Sequence, residues 1–389
     1  MKSEILVLGG GFAGVEAAIE ASKNGFDVTL VSDREYIYLY PLSIWIPIGQ
    51  SGPKDTRVQL SQLSKKHGFS FVKSRVSGID TQNQRVQLED GDLNYETLII
   101  ALGGAKMQPE GIEKTLSICG SPEDAKRIRE RLEALYEKGG GRIAVGFGGS
   151  VDDPSAVRGG PVFELLFNIE TMLRRKKMRD RFELTFFSPM TDPGKKMGDT
   201  ALLLLESLFR KRGIARRTGV GIAGFETNAV TFTDGTALQS DLILFTPAGK
   251  GLPLLKESGL PVSAAGYARI DDHCRVFGME NVYAIGDAAQ IEGPDWIAKQ
   301  GHLAEAMARV AVKDIAALKK SGQRGARGYA VDLSILCMMD TGDGAALVRR
   351  NRERSSVTVL PVVGHWMKQG WGKYWRLTRL RYIPRLPGM

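Results

Sequence analysis

The first thirty residues alternate between apolar runs and a helical pattern, and together they predict a βαβ unit. Ile5 to Leu8 is continuously apolar, as expected of a strand buried on both faces of a parallel sheet. Residues 15–22 are rich in alanine and glutamate, which favours a helix. A second apolar strand follows at 28–31. The segment therefore predicts the first unit of an α/β sheet.

The turn between that strand and helix carries the pattern G-x-G-x-x-G at Gly9, Gly11 and Gly14. The first glycine permits a tight turn, the second lets the backbone approach a pyrophosphate, and the third lets helix and strand pack closely. The helix N-terminus adds free N–H groups and the positive end of its dipole. With 46 glycines in the chain the pattern alone is weak, but its strand–helix–strand setting predicts a dinucleotide site.

The residues after the second strand bear on the adenosine end of such a site. Ser32 stands where an acid that binds the ribose is typical, with Asp33 and Arg34 next. We expect Ser32 or Asp33 to reach the ribose. The aromatic run 36–48 predicts core, the wall of a cofactor pocket or a membrane-facing segment, and we favour the first two.

A second unit of the same type begins at 142–145, followed by Gly146 and Gly148. Val151 occupies the place of the third glycine, and the next strand, 184–187, ends at Ser188 without an acid. The pattern predicts a Rossmann-like domain that binds no nucleotide.

Further patterns complete the predicted elements. Ser121-Pro122-Glu123 begins a helix that runs to Lys138. Strands are predicted at 95–104 and 242–249, a helix at about 301–320, and strand–turn–strand at 337–348. The three cysteines, Cys119, Cys274 and Cys337, are widely separated, which favours a reducing compartment and predicts no metal site.

Charge is concentrated at the C-terminus. From Arg349 onward there are ten Lys/Arg and one acid, whereas the preceding chain is balanced at 43 of each. On a helix, Met367, Trp371, Tyr374 and Trp375 share one side and the cations Lys368, Arg376 and Arg379 lie on another. This favours an amphipathic helix on an anionic membrane surface.

A dimer face, and hence a homo-oligomer, is one alternative for this tail, and a nucleic-acid patch is another. No recognition motif supports nucleic acid, so we expect none. No apolar run is long enough to span a bilayer, and strand one starts almost at Met1, without a signal peptide before it. We expect a peripheral membrane protein on the cytoplasmic side.

Three separated stretches resemble the flavoproteins with two dinucleotide-binding domains: 9–14, ALGG at 101–104 and NVYAIGDAA at 281–289. The resemblance implies FAD, with Asp287 at its ribityl–phosphate region and a helix opening near Lys299 aimed at the flavin ring. The candidate cofactor-binding residues are Gly9, Gly11, Gly14, Ser32, Asp33, Arg34, Val76, Ala101, Gly103, Gly286, Asp287, Lys299 and Gln300.

Within that superfamily, the stretches 159–175, 182–189, 337–343 and 365–375 resemble sulfide:quinone oxidoreductases and the flavoprotein subunit of flavocytochrome c sulfide dehydrogenases. The resemblance implies electron transfer from a sulfide-type sulfur donor through FAD to a membrane quinone. It covers nearly the whole chain.

The same resemblance nominates Cys337, Glu164 and Arg158 as catalytic residues. Cys337 matches one of the two redox cysteines of the family and Cys119 resembles a third, but Arg158 stands where the second redox cysteine is expected. Arg158 is expected to favour the thiolate of Cys337 or to bind an anionic substrate. Glu164 matches a family glutamate near the flavin and is a candidate proton carrier.

Two other functions stay open at this point: a type II NADH:quinone oxidoreductase, and a flavin-bearing electron-transfer subunit without its own turnover. The expected fold is α/β, with two Rossmann-like dinucleotide-binding domains and a C-terminal membrane-docking region. Its predicted parts are an FAD-binding domain in two pieces (1–110 and 241–322), a second Rossmann-like domain (111–240) and a C-terminal region (323–389).

Overall fold

The structure is a computed structural model that describes residues 2–386. Its strands are β1 (Lys2–Leu8), β2 (Val28–Ser32), β3 (Tyr36–Tyr38), β4 (Arg57–Gln59), β5 (Ser70–Lys73), β6 (Val76–Asp80), β7 (Arg85–Leu88), β8 (Gly91–Ile100), β9 (Ala105–Lys106), β10 (Gly141–Phe147), β11 (Phe182–Ser188), β12 (Ala215–Thr218), β13 (Ile222–Glu226), β14 (Ala229–Phe232), β15 (Ala237–Gln239), β16 (Leu242–Thr246), β17 (Gly249–Lys250), β18 (Val282–Ala284), β19 (Ile335–Asp340), β20 (Gly344–Arg350) and β21 (Ser355–Pro361). Its α-helices are α1 (Phe12–Lys23), α2 (Leu60–His67), α3 (Pro122–Lys138), α4 (Gly160–Arg175), α5 (Asp199–Lys211), α6 (Pro253–Glu257), α7 (Gly301–Ser321) and α8 (Val363–Arg379).

The first sheet has the order β5-β2-β1-β8-β7-β6, with β18 also paired to β8. β1 runs parallel to both β2 and β8, and β18 runs parallel to β8, so the strand from the second half of the chain completes the N-terminal domain. β6, β7 and β8 form an antiparallel extension. The predicted βαβ unit is present, and residues 282–284 bring the chain back to this sheet.

The turn from β1 to α1 has the geometry that its glycines predict. Gly9 has a φ of +111°, a conformation that L side chains rarely adopt. A Cβ on Gly14 would clash with the Gly9 carbonyl and lie 3.3 Å from the Cβ of Ala101. Close packing of α1 on β1 and β8 therefore requires glycine at both positions.

The second sheet is parallel, in the order β12-β11-β10-β16, and the small antiparallel sheet β13-β14-β15 packs on it through Phe187, Phe225 and Phe245. β16 pairs with β10, although it lies just beyond the predicted boundary at 240. The second sheet thus takes one strand from the stretch that we assigned to the returning FAD domain. Helix α3 begins where predicted, because Ser121 accepts the Asp124 N–H at 3.1 Å as its N-cap.

The C-terminal region is an antiparallel sheet, β19-β20-β21, followed by α8. The strand–turn–strand prediction is confirmed, and β21 is an additional strand. Cys337 pairs with Val348 in this sheet.

Helix α8 forms as predicted, but the prediction that its cations face an anionic membrane surface is wrong for Lys368 and Arg379. Lys368 and Arg379 are only 6% and 5% exposed, because they face carboxylates in the body of the protein. Trp366 and Met367 are instead 65% and 47% exposed. The exposed residues of α8 therefore include Trp366 and Met367 together with Lys373, and two of the three cations assigned to the basic side are buried.

Candidate active site

A cavity of about 280 Å³ lies beyond the carboxyl ends of the parallel strands β1, β8 and β18, where α/β sheets bind ligands. Its walls combine the β1–α1 turn, the segment after β8, the loop before α4 and the start of α7. The residues that line it are Gly11, Phe12, Ala13, Arg34, Tyr38, Tyr40, Ala101, Leu102, Gly103, Gly104, Ala105, Lys106, Cys119, Gly120, Ala156, Arg158, Pro247, Gly249, Tyr267, Asp287, Lys299, Gln300, Gly301 and Ala304.

Two helix N-termini meet at this cavity, and neither has a side-chain cap. The N-caps are Gly11 for α1 and Gln300 for α7. Uncapped N-termini present free N–H groups and a positive dipole end. A Cβ on Gly11 would meet nothing within 4 Å, so the backbone is open to a ligand at that point. The arrangement fits a dinucleotide, with phosphates at α1 and the far ring system at α7.

The predicted cofactor-binding residues divide into two groups. Those that line the cavity are Gly11, Arg34, Ala101, Gly103, Asp287, Lys299 and Gln300. Those that do not line it are Gly9, Gly14, Ser32, Asp33, Val76 and Gly286.

Most members of the second group shape the walls. Ser32 is buried at the end of β2, and its Oγ accepts the Arg34 N–H at 3.2 Å. Asp33 is exposed, 3.7 Å from the Arg34 guanidinium. A Cβ on Gly286 would lie 2.9 Å from the Cβ of Ala13, so glycine lets α1 approach. Val76 begins the outermost strand of the antiparallel extension.

Arg158 lies in the cavity wall and forms an ion pair with Asp287. The attraction of Asp287 raises the pKa of the Arg158 guanidinium. Arg158 also lies 6.0 Å from the Tyr40 ring. The guanidinium is thus held against the carboxylate of the cofactor motif. Whether it also activates Cys337 or binds an anionic substrate, as expected from the sequence, stays a prediction.

The cavity residues that were not nominated from the sequence include Lys106, Tyr267 and Cys119. Lys106 donates to the Cys119 carbonyl at 2.6 Å, and Tyr267 packs under the ammonium of Lys299, 3.8 Å from the ring centroid. Cys119 itself lines the cavity, and burial raises the pKa of its thiol despite Arg158 and Lys106. No local motif marks Lys106 or Tyr267, because only the fold brings them to the cavity.

Lys299 is buried at the start of α7. Burial lowers the pKa of its ammonium to about 8, although Asp287 and Asp153 oppose the shift. The group therefore gains or loses its charge close to neutral pH.

Cys337 lies outside the cavity lining, on β19, beside the N-terminus of α4. A Cβ on Gly160 would lie 4.0 Å from the Sγ of Cys337. The neighbouring Leu336 N–H donates to Gln300 Oε1 at 3.2 Å, which ties this strand to the start of α7. Burial raises the pKa of Cys337 to about 12, with a further contribution from Glu164, whereas Lys368 opposes the shift. The thiol is therefore protonated at neutral pH.

Glu164 is buried on α4 and forms an ion pair with Lys368 of α8. Its Oε1 also accepts the Asp340 N–H at 2.9 Å. Burial raises the pKa of Glu164, and Lys368 only partly offsets it. Glu164 is therefore not a surface acid, and a proton can be held here.

A second pair extends this cluster toward the surface. His365 Nδ1 lies 2.6 Å from a carboxylate oxygen of Asp340. Burial works to raise the pKa of Asp340, but the hydrogen bonds from His365 and the Gly342 N–H outweigh it and lower the pKa. Glu164, Lys368, Asp340 and His365 form one continuous ionisable cluster beside Cys337.

The second Rossmann-like domain lacks a short glycine turn like the one that joins β1 to α1 in the first. Three residues separate β1 from α1, whereas residues 148–159 separate β10 from α4. Val151, in the place of the third glycine, is 98% exposed. The N-terminus of α4 faces Cys337 instead.

A family model described as pyridine nucleotide-disulphide oxidoreductase matches residues 3–311. The chain belongs to this family. It is an FAD-dependent oxidoreductase, in agreement with the cavity and its two helix N-termini. Within the described residues no helix has the length and apolar character to cross a bilayer, and no group of side chains is suited to hold a metal ion.

Individual relatives extend the similarity beyond residue 311. The chain is 25% identical over 416 aligned positions to a sulfide-quinone reductase of Aquifex aeolicus, covering 99% of this chain and 93% of that protein. It is 23% identical to an NADH dehydrogenase-like protein of Mycobacterium tuberculosis, over 74% of this chain and 73% of the other. The solved sulfide:quinone oxidoreductase of Aquifex aeolicus superposes with a TM-score of 0.87 at 22% identity, covering 97% of this chain and 91% of that one. The α/β fold with two dinucleotide-type domains is thereby confirmed.

Proposed function

We propose that this oxidoreductase transfers electrons from a sulfide-type sulfur donor, through FAD, to a membrane quinone. The observation that carries the proposal is the position of Cys337 at the N-terminus of α4. In a nicotinamide-binding domain the corresponding helix start receives phosphates. Here Gly160 of that helix start lies beside a thiol of the C-terminal sheet.

FAD, when bound, accepts an electron pair from the donor and passes it to the acceptor. The residues that would hold it are the backbone around Gly11 at the phosphates and Asp287 with Arg158 at the middle of the cofactor. Lys299 and Gln300 at the start of α7 would face the ring. Ser32 and Arg34 would flank the adenosine end.

Cys337 would hold sulfur on the donor side. Its raised pKa argues against a resting thiolate and favours a thiol that gives up its proton only when the donor arrives. Glu164 and Lys368, next to Cys337, can take up that proton or supply one to a quinone that becomes a quinol. The Asp340–His365 pair continues the path toward solvent.

The acceptor side is supported by α8. Its outward residues Trp366 and Met367 are apolar and exposed, as in helices that lie in the membrane interface. Docking through this helix, on the cytoplasmic face, would bring a membrane quinone within reach of the flavin.

Anaerobic mixing of the FAD-loaded chain with sulfide, while flavin absorbance is followed, tests the donor. We expect sulfide to bleach the flavin and Cys337→Ser to slow bleaching at least tenfold. Cys274→Ala, which removes a buried thiol away from the cavity, should leave the rate unchanged. Equal rates in wild type and Cys337→Ser would remove Cys337 from the mechanism.

The second candidate, a type II NADH:quinone oxidoreductase, is favoured by the parallel second sheet and by the NADH dehydrogenase-like relative. The long loop 148–159 argues against it. Rapid bleaching by NADH in the same experiment would show that NADH, and not sulfide, is the donor. Bleaching by neither compound, but by a reduced partner protein, would favour an electron-transfer subunit.

A further inference from the structure

A second cavity, of about 350 Å³, lies between α1, α2 and the chain that follows α8. It shares no lining residue with the cavity at the carboxyl ends of the strands. Its lining includes Lys23, His67, Arg379, Arg381, Tyr382 and Arg385, and no acidic residue.

The cations of this cavity exceed the acids available to them. Arg379 and Arg385 both contact Glu16 and Glu305, and Arg309 also contacts Glu16. These three arginines therefore share two carboxylates. Lys23 pairs with Glu20 at 2.7 Å, whereas Arg381 lies within ion-pair distance of no carboxylate in the described part of the chain. The cavity thus carries a net positive charge.

Two buried polar atoms at the cavity lack partners in the part of the chain that the structure describes. One is the Nε of Arg379, a residue that is 5% exposed, and the other is the Nδ1 of His67. The other ring nitrogen of His67 contacts the Arg379 carbonyl at 2.6 Å. Burial lowers the pKa of His67, and the charges of Arg381, Lys23 and Arg379 lower it further. Buried polar groups are normally paired, so the Arg379 Nε–H, a donor amid excess positive charge, points to an anionic ligand. Nδ1 of His67 is instead an acceptor, because Nε2 donates to the Arg379 carbonyl, and it requires a hydrogen-bond donor such as a hydroxyl.

The rim of the cavity is apolar. The rim residues are Tyr382 and Ile383, which line the cavity and are 64% and 38% exposed, and Leu386, which follows three residues later in the chain and is 56% exposed. Leu377 on the outer side of α8 is exposed as well. Arginine pairs with phosphate through charge-assisted hydrogen bonds, while aromatic and aliphatic residues enter the acyl boundary of a membrane.

We infer that this cavity binds the phosphate of an anionic phospholipid, whose acyl chains lie against the rim residues Tyr382, Ile383 and Leu386. The inference rests on the proposed membrane docking and adds a lipid-selective site to it. Phosphate binding also gives a role to the arginine charge that Glu16 and Glu305 do not neutralise.

Co-sedimentation of the full-length, FAD-loaded enzyme with vesicles tests this site. One vesicle preparation contains phosphatidylcholine alone, and the other also contains phosphatidylglycerol. The variants are Arg381→Gln, Lys23→Gln and the double variant, none of which removes a partner of Glu16. Arg352→Gln, in the exposed turn between β20 and β21, makes the same change in net charge outside the cavity.

We expect wild type to prefer the phosphatidylglycerol vesicles. Each cavity substitution should weaken that binding about fivefold, whereas binding to phosphatidylcholine vesicles stays unchanged. If Arg352→Gln weakens binding to the phosphatidylglycerol vesicles as much as Arg381→Gln does, the proposed site is overturned. The preference for anionic vesicles would then depend on the net charge of the protein and not on this cavity. Failure to bind either vesicle would refute the docking itself.

A third arm distinguishes the source of the phosphate. Inorganic phosphate is titrated while thermal unfolding is followed, in wild type and Arg381→Gln. If phosphate raises the melting temperature only when Arg381 is present, and the vesicles show no lipid preference, the cavity binds soluble phosphate and the lipid assignment is overturned.

Discussion

At the scale of single residues, the chemistry depends on buried charges whose partners are remote in the chain. Glu164 pairs with Lys368, 204 residues away, and Arg158 pairs with Asp287, 129 residues away. The family resemblance identified Glu164, Arg158 and Asp287 as candidate site residues. It did not predict that Glu164 pairs with Lys368 or that Arg158 pairs with Asp287. The ion pair with Asp287 adds a second contact to the interpretation of Arg158, which lies against the cofactor motif.

The Glu164–Lys368 pair gives a stability prediction. Glu164→Gln or Lys368→Met alone leaves one buried charge unpaired and should cost about 3–5 kcal/mol of unfolding free energy. The double variant removes both charges and should recover most of that loss. Urea unfolding of the FAD-loaded chain measures all three.

The pH dependence of the single variants separates an ion pair from simple packing. In Lys368→Met, the unpaired Glu164 has a raised folded-state pKa, so the folded state holds a proton that the unfolded state releases. Its stability should therefore fall as the pH rises through the unfolded-state pKa toward the folded one. Glu164→Gln removes the acid and should lose this dependence. A double variant as unstable as the sum of the two singles would contradict a direct pair.

At the scale of elements, the β1–α1 turn separates the requirements of folding from those of cofactor binding. Gly14 faces the Gly9 carbonyl, whereas the space beside Gly11 is open to the cavity. The same motif thus contains one glycine needed for packing and one positioned for a ligand.

Alanine at each position should have a different effect. Gly14→Ala forces α1 away from β1 and should destabilise the chain by about 1–3 kcal/mol even without FAD. Gly11→Ala should leave the melting temperature of the FAD-free chain unchanged and weaken FAD binding at least tenfold. Thermal unfolding without FAD and a flavin-fluorescence titration measure the two effects. Normal FAD affinity in Gly11→Ala would show that the cofactor does not approach this turn.

At the scale of the whole molecule, the C-terminal segment is an integral part of the FAD-binding domain. Glu16 is buried on α1, and its contacts include Arg379 and Arg385. Burial works to raise the pKa of Glu16, but these two arginines outweigh it and lower the pKa. Trp375 Nε1 also donates to Glu305 of α7 at 2.9 Å. The segment therefore supports both helices whose N-termini face the cavity.

Deletion of residues 363–389 should consequently destabilise the body of the enzyme and not only release it from membranes. Glu16 would keep Arg309 as its remaining ion-pair partner, and we expect a loss of several kcal/mol, as is typical when buried charges lose their partners. Glu16→Gln in the shortened chain should restore part of the stability. Urea unfolding and retention of FAD on a desalting column measure the effect. An equally stable shortened chain would show that α8 is a separable docking module.

The sequence by itself determined those features whose physics is local. Strand, tight turn and helix lie within residues 5–22, so their glycine spacing identifies a dinucleotide fold without knowledge of the rest. The long loop in place of the second glycine turn and the Ser121 cap of α3 are equally local. The family resemblance then added FAD and nominated Cys337, Glu164 and Arg158.

Only the tertiary structure decided which charges are buried and what neutralises them. The pattern of α8 distinguishes two sides of a helix but not which side faces inward, because a buried cation is tolerated only where a carboxylate from elsewhere meets it. Glu16, Glu164 and Glu305 supply those carboxylates from other helices. Helix α8, which the charge count described as part of a basic surface, is therefore held against the body of the protein by Lys368 and Arg379, while Trp366 and Met367 are exposed.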